Sequence, residues 1–553
     1  MILTARSEAS DIKAAVAIVG GGPTGIALAL ALARANIDTV IIESGGEHTD
    51  IWATSLSSAA ALVPENHAPL EWASPRGLGG ATWTWGGRCV DIDPIDFEPR
   101  PDAEIPGWPI SYEDATAEAR AAATFLGIGE PQFEVELDGL GTEGVLRTRL
   151  ERWCSDPRLA RHYAGEIRTS AKARFYTGLT CTGITFDSDG RHVRGLRVKY
   201  RSGLECLVSA RHYVLAAGGI ETARLLLASK ETVSAGIGCS FAWLGRNYLG
   251  HFEGAIADIV LDGLSDDALD YRLDGSACFV RPRLMLAPEI LRRKGLRNIA
   301  FVPTNQPLGD WRHGSGALSA AALALYMPIV GRSLQPGPVR EILLGRPLNA
   351  SGLRHHLKNI VGDGRGIISF AVQALVQRLR RPKVPGIFVR NKTRRYSLKY
   401  IAEQSPSYAS RVLLSNDRDA LGVPRVIVEK SVTDNDVKSI LEAHDILDRE
   451  LRRLKLGRLE YLAKASDRSA AITAHGADGY HQIGLVRMGN DPQSSVVDAN
   501  CTMHSVPNLH IASSAVFPTS GQANPTFLMI CLALRLAKRL IADLSGASGL
   551  ASK

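Results

Sequence analysis

The feature that most constrains the fold of this chain is a glycine-rich turn near its N-terminus, set between two regular patterns. Residues 14–19 form an apolar run that predicts a buried strand. The turn follows at once at residues 20–25 with the sequence GGGPTG, and the small and apolar residues 26–34 predict a helix. Phosphates would sit at the start of this helix, where free N–H groups favour anions. The unit therefore predicts a parallel α/β domain that binds a dinucleotide.

The positions of the turn have separate roles. Gly20 permits the tight turn, Gly22 lets a pyrophosphate approach the backbone, and Gly25 lets the helix pack closely against the strand. A second strand is predicted at residues 38–43, and its last residue, Glu43, stands where a carboxylate would hydrogen-bond a ribose hydroxyl. This order makes the nucleotide site a specific prediction, although the glycines alone do not separate FAD from NAD.

Two more glycine-rich blocks support the nucleotide site. Residues 76–88 place five glycines among two tryptophans, so the loop offers bare backbone and aromatic faces to a flat ring. The alternative interpretation of this block is an aromatic surface turn. Residues 213–227 repeat the order of strand, glycine turn and helix.

Length, charge and cysteine content narrow the remaining possibilities. A chain of 553 residues is too long for one small core, so two domains in one compact body are expected. The net charge of +7 permits an acidic partner without requiring one, and no nucleic-acid recognition motif accompanies it. The eight cysteines form no CxxC pair and no Cys/His spacing, so no metal site is predicted and the cysteines are expected to be reduced.

The sequence shows no pattern typical of export or of a membrane span. Residues 1–13 lack the layout of a signal peptide. The longest uncharged apolar run, residues 316–330, is short for a spanning helix and is interrupted by Pro328. We therefore expect a cytoplasmic protein without a transmembrane segment.

Later motifs give the chain a resemblance to a known family. Together with RGLGG at 76–80 they are PGWPISY at 106–112, LAAGG at 215–219, LGRNYLGH at 244–251, RVLLSNDRDALGVPR at 411–425, YHQIG at 480–484 and NPT at 524–526. In this order they resemble the motifs of the glucose–methanol–choline (GMC) oxidoreductases, a family of FAD enzymes, over nearly the full length.

The resemblance implies an α/β fold of two domains. A discontinuous Rossmann-like FAD-binding domain would carry an inserted substrate domain of sheet plus helices, as in the GMC fold. The FAD-binding domain would comprise residues 12–115, 160–250 and 480–545. The substrate-binding domain would comprise residues 116–159 and 251–479.

The resemblance also implies a catalytic pair near the C-terminus. His481 matches the family's catalytic histidine, and Asn524 matches its partner. Removing hydride from a carbinol carbon requires the hydroxyl proton to leave as well, and a neutral imidazole can accept that proton. The amide of Asn524 can orient the same oxygen. Pro525 suits the first position of a helix whose N-terminus would point at the flavin, whereas His251 lies in a family-typical loop where no chemistry requires it.

The predicted cofactor is FAD, held without a covalent bond. In relatives similar to pyranose oxidase, the attachment histidine stands where this chain has Thr84, and threonine cannot form that bond. Residues 512–515 also lack the acid that many members carry beside the flavin phosphates. The predicted cofactor-binding residues are Gly20, Gly22, Pro23, Thr24, Gly25, Glu43, Arg76, Gly79, Gly80, Thr84, Trp85, Gly86, Gly87, Ala217, Gly218, Ser514, Pro525 and Thr526.

The implied activity is FAD-dependent oxidation of an alcohol, with His481 as the base, flavin N5 as the hydride acceptor, and oxygen or another acceptor downstream. Residues 82–87 and 417–422 resemble sugar- and polyol-oxidising members, which favours a sugar, a glycoside or an aminoglycoside-like polyol. The alternatives are a non-sugar alcohol, a hydroxynitrile lyase on the same fold, and a binding module without catalysis.

A basic segment in the predicted substrate domain has no assigned role. Residues 371–381 are apolar on one side, and they lead into nine basic residues within 378–399. These are Arg378, Arg380, Arg381, Lys383, Arg390, Lys392, Arg394, Arg395 and Lys399. An acidic sugar, a membrane surface, a partner protein and a solvated basic face are all compatible with this pattern.

Overall fold

The computed structural model describes residues 1–4, 11–137, 140, 144–229, 240–334, 337–345, 347–379, 384–476 and 478–548. Within these residues the chain forms three β-sheets with helices packed around them, so the predicted α/β class is confirmed. Arg380, Arg381 and Lys383, named above, lie outside the described residues, as does Cys239, one of the eight cysteines.

The strands and helices are numbered along the chain. The strands are β1 Ile2–Thr4, β2 Ile12–Val19, β3 Thr39–Glu43, β4 Ala61–Val63, β5 Arg88–Cys89, β6 Leu146–Trp153, β7 Ala173–Thr177, β8 Leu179–Phe186, β9 Val193–Tyr200, β10 Glu205–Leu215, β11 His251–Leu261, β12 Arg272–Leu273, β13 Phe279–Leu286, β14 Ile299–Thr304, β15 Arg395–Glu403, β16 Arg411–Arg418, β17 Pro424–Glu429, β18 Gly457–Tyr461 and β19 Leu509–Ile511. The helices are α1 Pro23–Arg34, α2 Ile51–Ser55, α3 Leu70–Ala73, α4 Tyr112–Ala115, α5 Ala119–Leu126, α6 Leu159–His162, α7 Ala164–Thr169, α8 Gly219–Ala228, α9 Ser240–Trp243, α10 Pro288–Lys294, α11 Gly316–Tyr326, α12 Pro328–Leu334, α13 Gly337–Leu344, α14 Ala350–Gly362, α15 Gly364–Leu379, α16 Asp434–Arg453, α17 Ala465–His475 and α18 Thr526–Ser548.

The first sheet positions the nucleotide site. Its strand order is β1-β7-β3-β2-β10-β9-β8, with β19 also paired to β10. The pairs from β1 to β10 are parallel, and β8 and β9 form an antiparallel edge. The connection from β2 through α1 leads to β3 on one side, while β10 lies on the other side of β2. The glycine turn at residues 20–25 therefore lies at a switch point of the strand order, where ligands of open α/β sheets bind.

The second sheet includes β11, which begins at His251. Its order is β18-β11-β15-β14-β13-β6-β5, with β12 beside β13, and the neighbouring strands pair antiparallel. Leu398 and Tyr400 of β15 pack into a core shared with Ile440 of α16. Because side chains alternate along a strand, Lys399 points to the other face of the sheet, where it pairs with Glu253 of β11.

The third sheet, β16-β17-β4, contains most of the 411–425 motif and packs against the nucleotide domain. Arg224 of α8 is buried, and its guanidinium donates to Asp419 at 2.7 Å and to the carbonyl of Pro424 at 2.7 Å. A buried charge is stable only when it is paired and hydrogen-bonded in this way. The motif therefore has a structural role between two sheets.

The predicted strand, turn and helix units form close to the expected residues, with one correction at α18. The sequence predicts Pro525 as the first residue of this helix, but the helix begins at Thr526. The carbonyl of Pro525 accepts from the backbone N–H of Met529 at 2.9 Å, the first bond of the helix. Pro525 therefore occupies the capping position that precedes the helix.

A helical insertion lies between β14 and β15. It carries α11 to α15, and Pro328 begins α12 where the sequence predicts an interruption of the apolar run. Across the described part of the chain, no helix has the length and apolar character needed to span a bilayer.

Candidate active site

The glycine turn forms a tight cradle with one open side. Gly20 has φ +103°, and a Cβ there would lie 2.5 Å from the carbonyl oxygen of Ala216. A Cβ on Gly25 would lie 2.0 Å from the carbonyl oxygen of Gly20. At Gly22, by contrast, a Cβ would have no heavy atom within 4 Å. The turn is therefore closed toward the sheet and open at the position predicted to face a pyrophosphate.

The start of α1 offers hydrogen-bond donors to an anion. The helix begins at Pro23, with Gly22 as its capping residue, and no side chain caps it. The backbone N–H groups of Thr24 and Gly25 belong to the first turn, which has no intrahelical acceptors. A phosphate is the ligand that such a helix end favours, so this part of the site fits FAD.

Glu43 lies at the end of β3, as predicted, and its carboxylate is buried. Its two oxygens accept from the backbone N–H of Gly21 at 2.8 Å and of Gly45 at 2.9 Å. An ionised carboxylate has further lone pairs beyond these two bonds. Glu43 can therefore also accept from a ribose hydroxyl while it holds the turn.

The 76–88 block packs directly on the glycine turn. The backbone N–H of Gly79 donates to the carbonyl of Gly21 at 2.7 Å, and a Cβ on Gly80 would lie 3.2 Å from Gly22. At Gly86 a Cβ would meet open space. The structure thus brings two of the three glycine blocks together.

The other residues of this block that are predicted to bind the cofactor differ in exposure and in hydrogen bonding. Trp85 is half-buried, with its indole N–H bonded to Pro157, and Gly87 has φ +72°, while Thr84 is exposed. Arg76 pairs with Glu221 of α8 at 2.7 Å, so its charge is used within the protein.

The third glycine block meets the C-terminal segment at the start of α8. Gly218 has φ +82° and caps this helix, and Ala217 lies against Gly20. The hydroxyl of Ser514 donates to the carbonyl of Gln482 at 2.8 Å. These contacts put Ser514 beside the residue that follows His481.

The structure brings the predicted catalytic pair into contact. Nε2 of His481 and Nδ2 of Asn524 are 2.9 Å apart. Oδ1 of Asn524 is buried and has no hydrogen-bond partner among the described residues. Unsatisfied buried oxygens are rare in native proteins, so this atom marks a place where a ligand hydroxyl fits.

Two residues behind the pair were missed by the sequence analysis. Nδ1 of His481 lies 3.0 Å from Oδ2 of Asp478 and 3.0 Å from Nδ1 of His251. The backbone N–H of His251 also contacts Asp478 Oδ2 at 3.3 Å. The Asp-X-X-His spacing and the LGRNYLGH motif were the available signals, but only the fold puts them side by side.

The hydrogen-bond network assigns the protons of both imidazoles. Nε2 of His251 lies 3.3 Å from the carbonyl of Ser520, which can only accept, so this nitrogen carries the proton and Nδ1 does not. Nδ1 of His481 then donates to both Asp478 and His251. The lone pair of His481 is left on Nε2, which faces Asn524. This is the tautomer that a proton acceptor at that position requires.

Charge and burial keep this tautomer in place. Burial alone would raise the pKa of Asp478, but His481 and Lys430 outweigh it and hold that pKa well below its usual range. Burial, reinforced by His481, lowers the pKa of His251 to about 3, so His251 stays neutral. Burial also lowers the pKa of Lys430 to about 8, although Asp478 opposes the shift. Asp478 is therefore ionised where it contacts His481.

The same three side chains are the set that a metal ion could use. One donor atom each from His251, Asp478 and His481 lies within 4.8 Å of the others. The two 3.0 Å contacts are hydrogen-bond lengths, and donors around a tetrahedral metal with bonds of about 2.1 Å would be roughly 3.4 Å apart. Hydrogen bonding accounts for the arrangement as it stands.

Charged side chains lie on the sheet face beside the pair. Glu253 follows His251 by two positions in β11 and therefore points to the same face. It forms an ion pair with Lys399 and lies 3.9 Å from Arg88. Burial opposes ionisation, but Lys399 and Arg88 lower the pKa of Glu253 to about 2. All three side chains keep 22–39% of their surface exposed, so they line an accessible space.

Two family models match this chain, one in its N-terminal part and one in its C-terminal part. Residues 15–237 match the family model described as FAD dependent oxidoreductase, and residues 406–533 match the one described as GMC oxidoreductase. Paromamine 6'-oxidase of Streptomyces fradiae is 30% identical over 152 residues, which are 27% of this chain and 26% of that protein. The matched stretch thus spans about a quarter of that relative.

Two longer matches support the fold. The 2-methyl-1,2-propanediol dehydrogenase of Mycolicibacterium austroafricanum is 22% identical over 600 aligned positions, which cover 96% of this chain and 95% of that protein. A fungal aryl-alcohol oxidase structure superposes with a TM-score of 0.55 at 13% identity, over 96% of this chain and 99% of the other. The two family models confirm the predicted resemblance: one segment of the chain matches FAD dependent oxidoreductases, and another matches GMC oxidoreductases.

Proposed function

We propose that the protein oxidises a CH–OH group of a sugar, a glycoside or an aminoglycoside-like polyol, with His481 as the proton acceptor. The observation that carries the proposal is the 2.9 Å contact between His481 Nε2 and Asn524, with the Nε2 lone pair fixed by Asp478 on the far side of the ring. A relative named for the oxidation of paromamine supports the substrate class.

The chain's own residues account for the proton in this reaction. The substrate hydroxyl donates to Nε2 of His481, and the amide N–H of Asn524 donates to the same oxygen. The O–H proton moves to Nε2 while the C–H bond breaks and a C=O bond forms. FAD, when bound, supplies the acceptor for the hydride that leaves the carbon.

Asp478 and His251 determine where the resulting positive charge is stable. The carboxylate of Asp478 lies 3.0 Å from the imidazole that becomes charged, and a carboxylate so placed favours the imidazolium. His251 contacts the same ring but stays neutral, so it adds no repulsion. We therefore assign Asp478 and His251 as positioning residues, because both act through His481.

The charged residues beside the pair favour a polar substrate. A polyol can hydrogen-bond to Arg88, Glu253 and Lys399, whereas an alkyl or aryl alcohol would take water from them without replacing its bonds. Buried polar groups that a substrate leaves without hydrogen-bond partners discriminate strongly against that substrate. FAD is proposed to be bound non-covalently, because Thr84 cannot form the family's histidyl bond.

The protein is proposed to work in the cytoplasm. Seven cysteines are described and all of them are free, which is compatible with a reducing compartment.

A non-sugar alcohol is the second candidate substrate, because the propanediol dehydrogenase matches over nearly the whole chain. Anaerobic mixing of the FAD-loaded enzyme with sugars, glycosides, aliphatic diols and aryl alcohols separates the two, with loss of flavin absorbance as the readout. Reduction by diols or aryl alcohols alone would contradict the polyol proposal. A cyanohydrin that is cleaved while the flavin stays oxidised would indicate the lyase.

A variant of Lys399 tests more sharply whether Arg88, Glu253 and Lys399 bind the substrate. In Lys399→Met we expect KM for the best polyol to rise roughly tenfold, while reduction at saturating substrate stays within about twofold, because the lysine touches substrate remote from the reacting carbon. Lys294→Met is the matched control, since Lys294 is also half-exposed and paired with a glutamate, Glu442. Equal KM values in both variants would remove Lys399 from the substrate site.

A further inference from the structure

The helical insertion between β14 and β15 is not needed to build the sheet. These strands are antiparallel neighbours, with Thr304 opposite Ser397, and a short hairpin could join them. Residues 305–394 instead form a connection in which α11 packs against α12, α13, α14 and α15. We call α11 to α15 the helical unit.

Large apolar side chains are concentrated on the surface of the helical unit. Of the 21 that are exposed in the described part of the chain, eleven lie in or directly before its helices. They are Met327, Ile329, Val330, Leu343, Leu353, Leu357, Val361, Ile368, Val372, Leu375 and Val376. Soluble monomers expose single apolar residues, but clusters of this kind mark a surface that contacts a partner or a membrane.

The exposed side chains form one face of α15. Ile368, Val372, Leu375 and Val376 are 67%, 57%, 61% and 43% exposed, and their spacing of three or four residues puts them on the same side of the helix. A globular helix normally turns this side to the core. Here the apolar side faces water, and Arg365, one turn earlier, is exposed on the same side.

The neighbouring helix α14 adds a stripe with a basic edge. Leu353, Leu357 and Val361 recur every four residues and are 40%, 49% and 86% exposed. Arg354 and Lys358 each follow a leucine by one position and are also exposed, so they border the stripe on one side.

The surface carries no opposing acid from its own helices. The sequences of α14 and α15 contain no aspartate or glutamate. The residue between them, Asp363, is 14% exposed, accepts from the backbone N–H of Gly316 and lies 3.8 Å from Lys392. The exposed face is therefore apolar and basic.

We propose that α14 and α15 dock the protein on an anionic lipid surface. Apolar side chains would enter the headgroup boundary while Arg354, Lys358 and Arg365 meet the lipid phosphates, as in interfacial amphipathic helices. Contact with a second copy through the same face would be isologous and would bring these basic residues toward each other. Charge complementarity therefore selects the lipid. This inference is independent of the proposed reaction.

The docking surface is remote from the catalytic pair. β15 runs from Arg395, at the insertion, to Glu403, which pairs with His251. Eight residue steps of about 3.3 Å put roughly 26 Å between these ends. Membrane docking would thus leave the active site accessible, and variants on the docking surface should keep their activity on a dissolved substrate.

Vesicle flotation with the FAD-loaded protein of residues 1–553 tests the proposal. Vesicles of phosphatidylcholine are compared with vesicles that also contain phosphatidylglycerol. We expect the protein to float with the anionic vesicles and to detach as salt is raised. Ile368→Glu should reduce binding on the order of tenfold, and Arg354→Gln should weaken the preference for phosphatidylglycerol roughly fivefold, the worth of about one charge at the surface. Leu462→Glu, at another half-exposed apolar residue, is the matched control and should bind normally.

Three results would overturn the proposal. One is equal binding to both kinds of vesicle, and another is absence of binding to either kind while the protein is folded and active. The third is a concentration-dependent dimer in sedimentation velocity that Ile368→Glu abolishes while vesicle binding stays absent. Unchanged activity of Ile368→Glu on a dissolved substrate shows that the variant is folded.

Discussion

Replacing Asp478 with asparagine removes one negative charge from the site and leaves its shape nearly unchanged. The amide oxygen can still accept from Nδ1 of His481 at about the distance of 3.0 Å found for the carboxylate. The tautomer is thereby kept, with the lone pair on Nε2. What is lost is the attraction between the carboxylate and the imidazolium that forms when His481 takes the substrate proton.

The size of this loss follows from the distance. Two unit charges 3.0 Å apart attract by about 5 kcal/mol at an effective dielectric constant of about 20. The desolvation of buried Asp478 and the hydrogen bond retained by asparagine reduce the difference to roughly 2–4 kcal/mol. If the proton is about half transferred in the transition state, the activation free energy rises by about half of this difference, about 1–2 kcal/mol. We therefore expect flavin reduction by Asp478→Asn to slow about 5- to 30-fold.

Anaerobic stopped-flow reduction, with FAD content matched between samples, measures this effect. Asp445→Asn, which makes the same chemical change at an exposed position, should leave the rate unchanged. A wild-type rate of flavin reduction in Asp478→Asn would refute the reasoning.

Three further predictions concern the same site. His481→Ala should slow flavin reduction by roughly 10²–10⁴-fold and Asn524→Ala by roughly 10–10³-fold. Because both residues act on one hydroxyl, the double variant should be little slower than His481→Ala alone. If stopped flow shows that the two losses multiply in the double variant, the residues do not share a hydroxyl. Acid precipitation should release the yellow flavin into the supernatant because Thr84 cannot hold it covalently, and a yellow pellet would show a covalent bond. Burial lowers the pKa of Lys430 to about 8, below its value of about 10.4 in an unfolded chain. Between these two pH values the unfolded state binds more protons than the folded state. The contribution of Lys430 to the free energy of unfolding should therefore rise with pH across that window. Urea unfolding of Lys430→Met from pH 7 to 10 should lack that rise, and parallel profiles for wild type and variant would show an ordinary lysine.

The nucleotide half of the site could be predicted from the sequence because its signals are local. The strand, glycine turn, helix and second strand lie within residues 12–43, and each position is constrained by its neighbours. Gly25 shows this directly, since a Cβ there would overlap the carbonyl of Gly20 only five residues earlier. Backbone geometry of this kind requires glycine at fixed spacings, and the sequence shows that spacing directly. The roles of the individual cofactor contacts remain predictions.

The surroundings of His481 could not be predicted in the same way, because they come from distant segments. His251 lies beside His481 where the two segments pair, with the backbone N–H of Leu249 bonded to the carbonyl of Ile483 at 2.9 Å. The sequence contains both motifs but no information on this register. Asp478 was closer to detection, three residues before His481, yet its carboxylate is informative only once burial and the neighbouring histidine are known.

The basic segment shows why charge counted along a sequence is a poor guide to a surface. Arg394 is bonded to Asp266 and Arg395 to Asp258, while Lys399 is paired with Glu253 beside the active site. The three acids come from β11 and the loop that follows it, more than 100 residues before their basic partners, so the sequence could not show that these charges are already compensated. The surface without a partner in the described structure is instead the apolar face of α14 and α15. A count of charged residues along the sequence does not detect it. A membrane surface is one of the four interpretations that the basic segment allows, and the exposed aliphatic side chains of α14 and α15, with their basic edge, favour it.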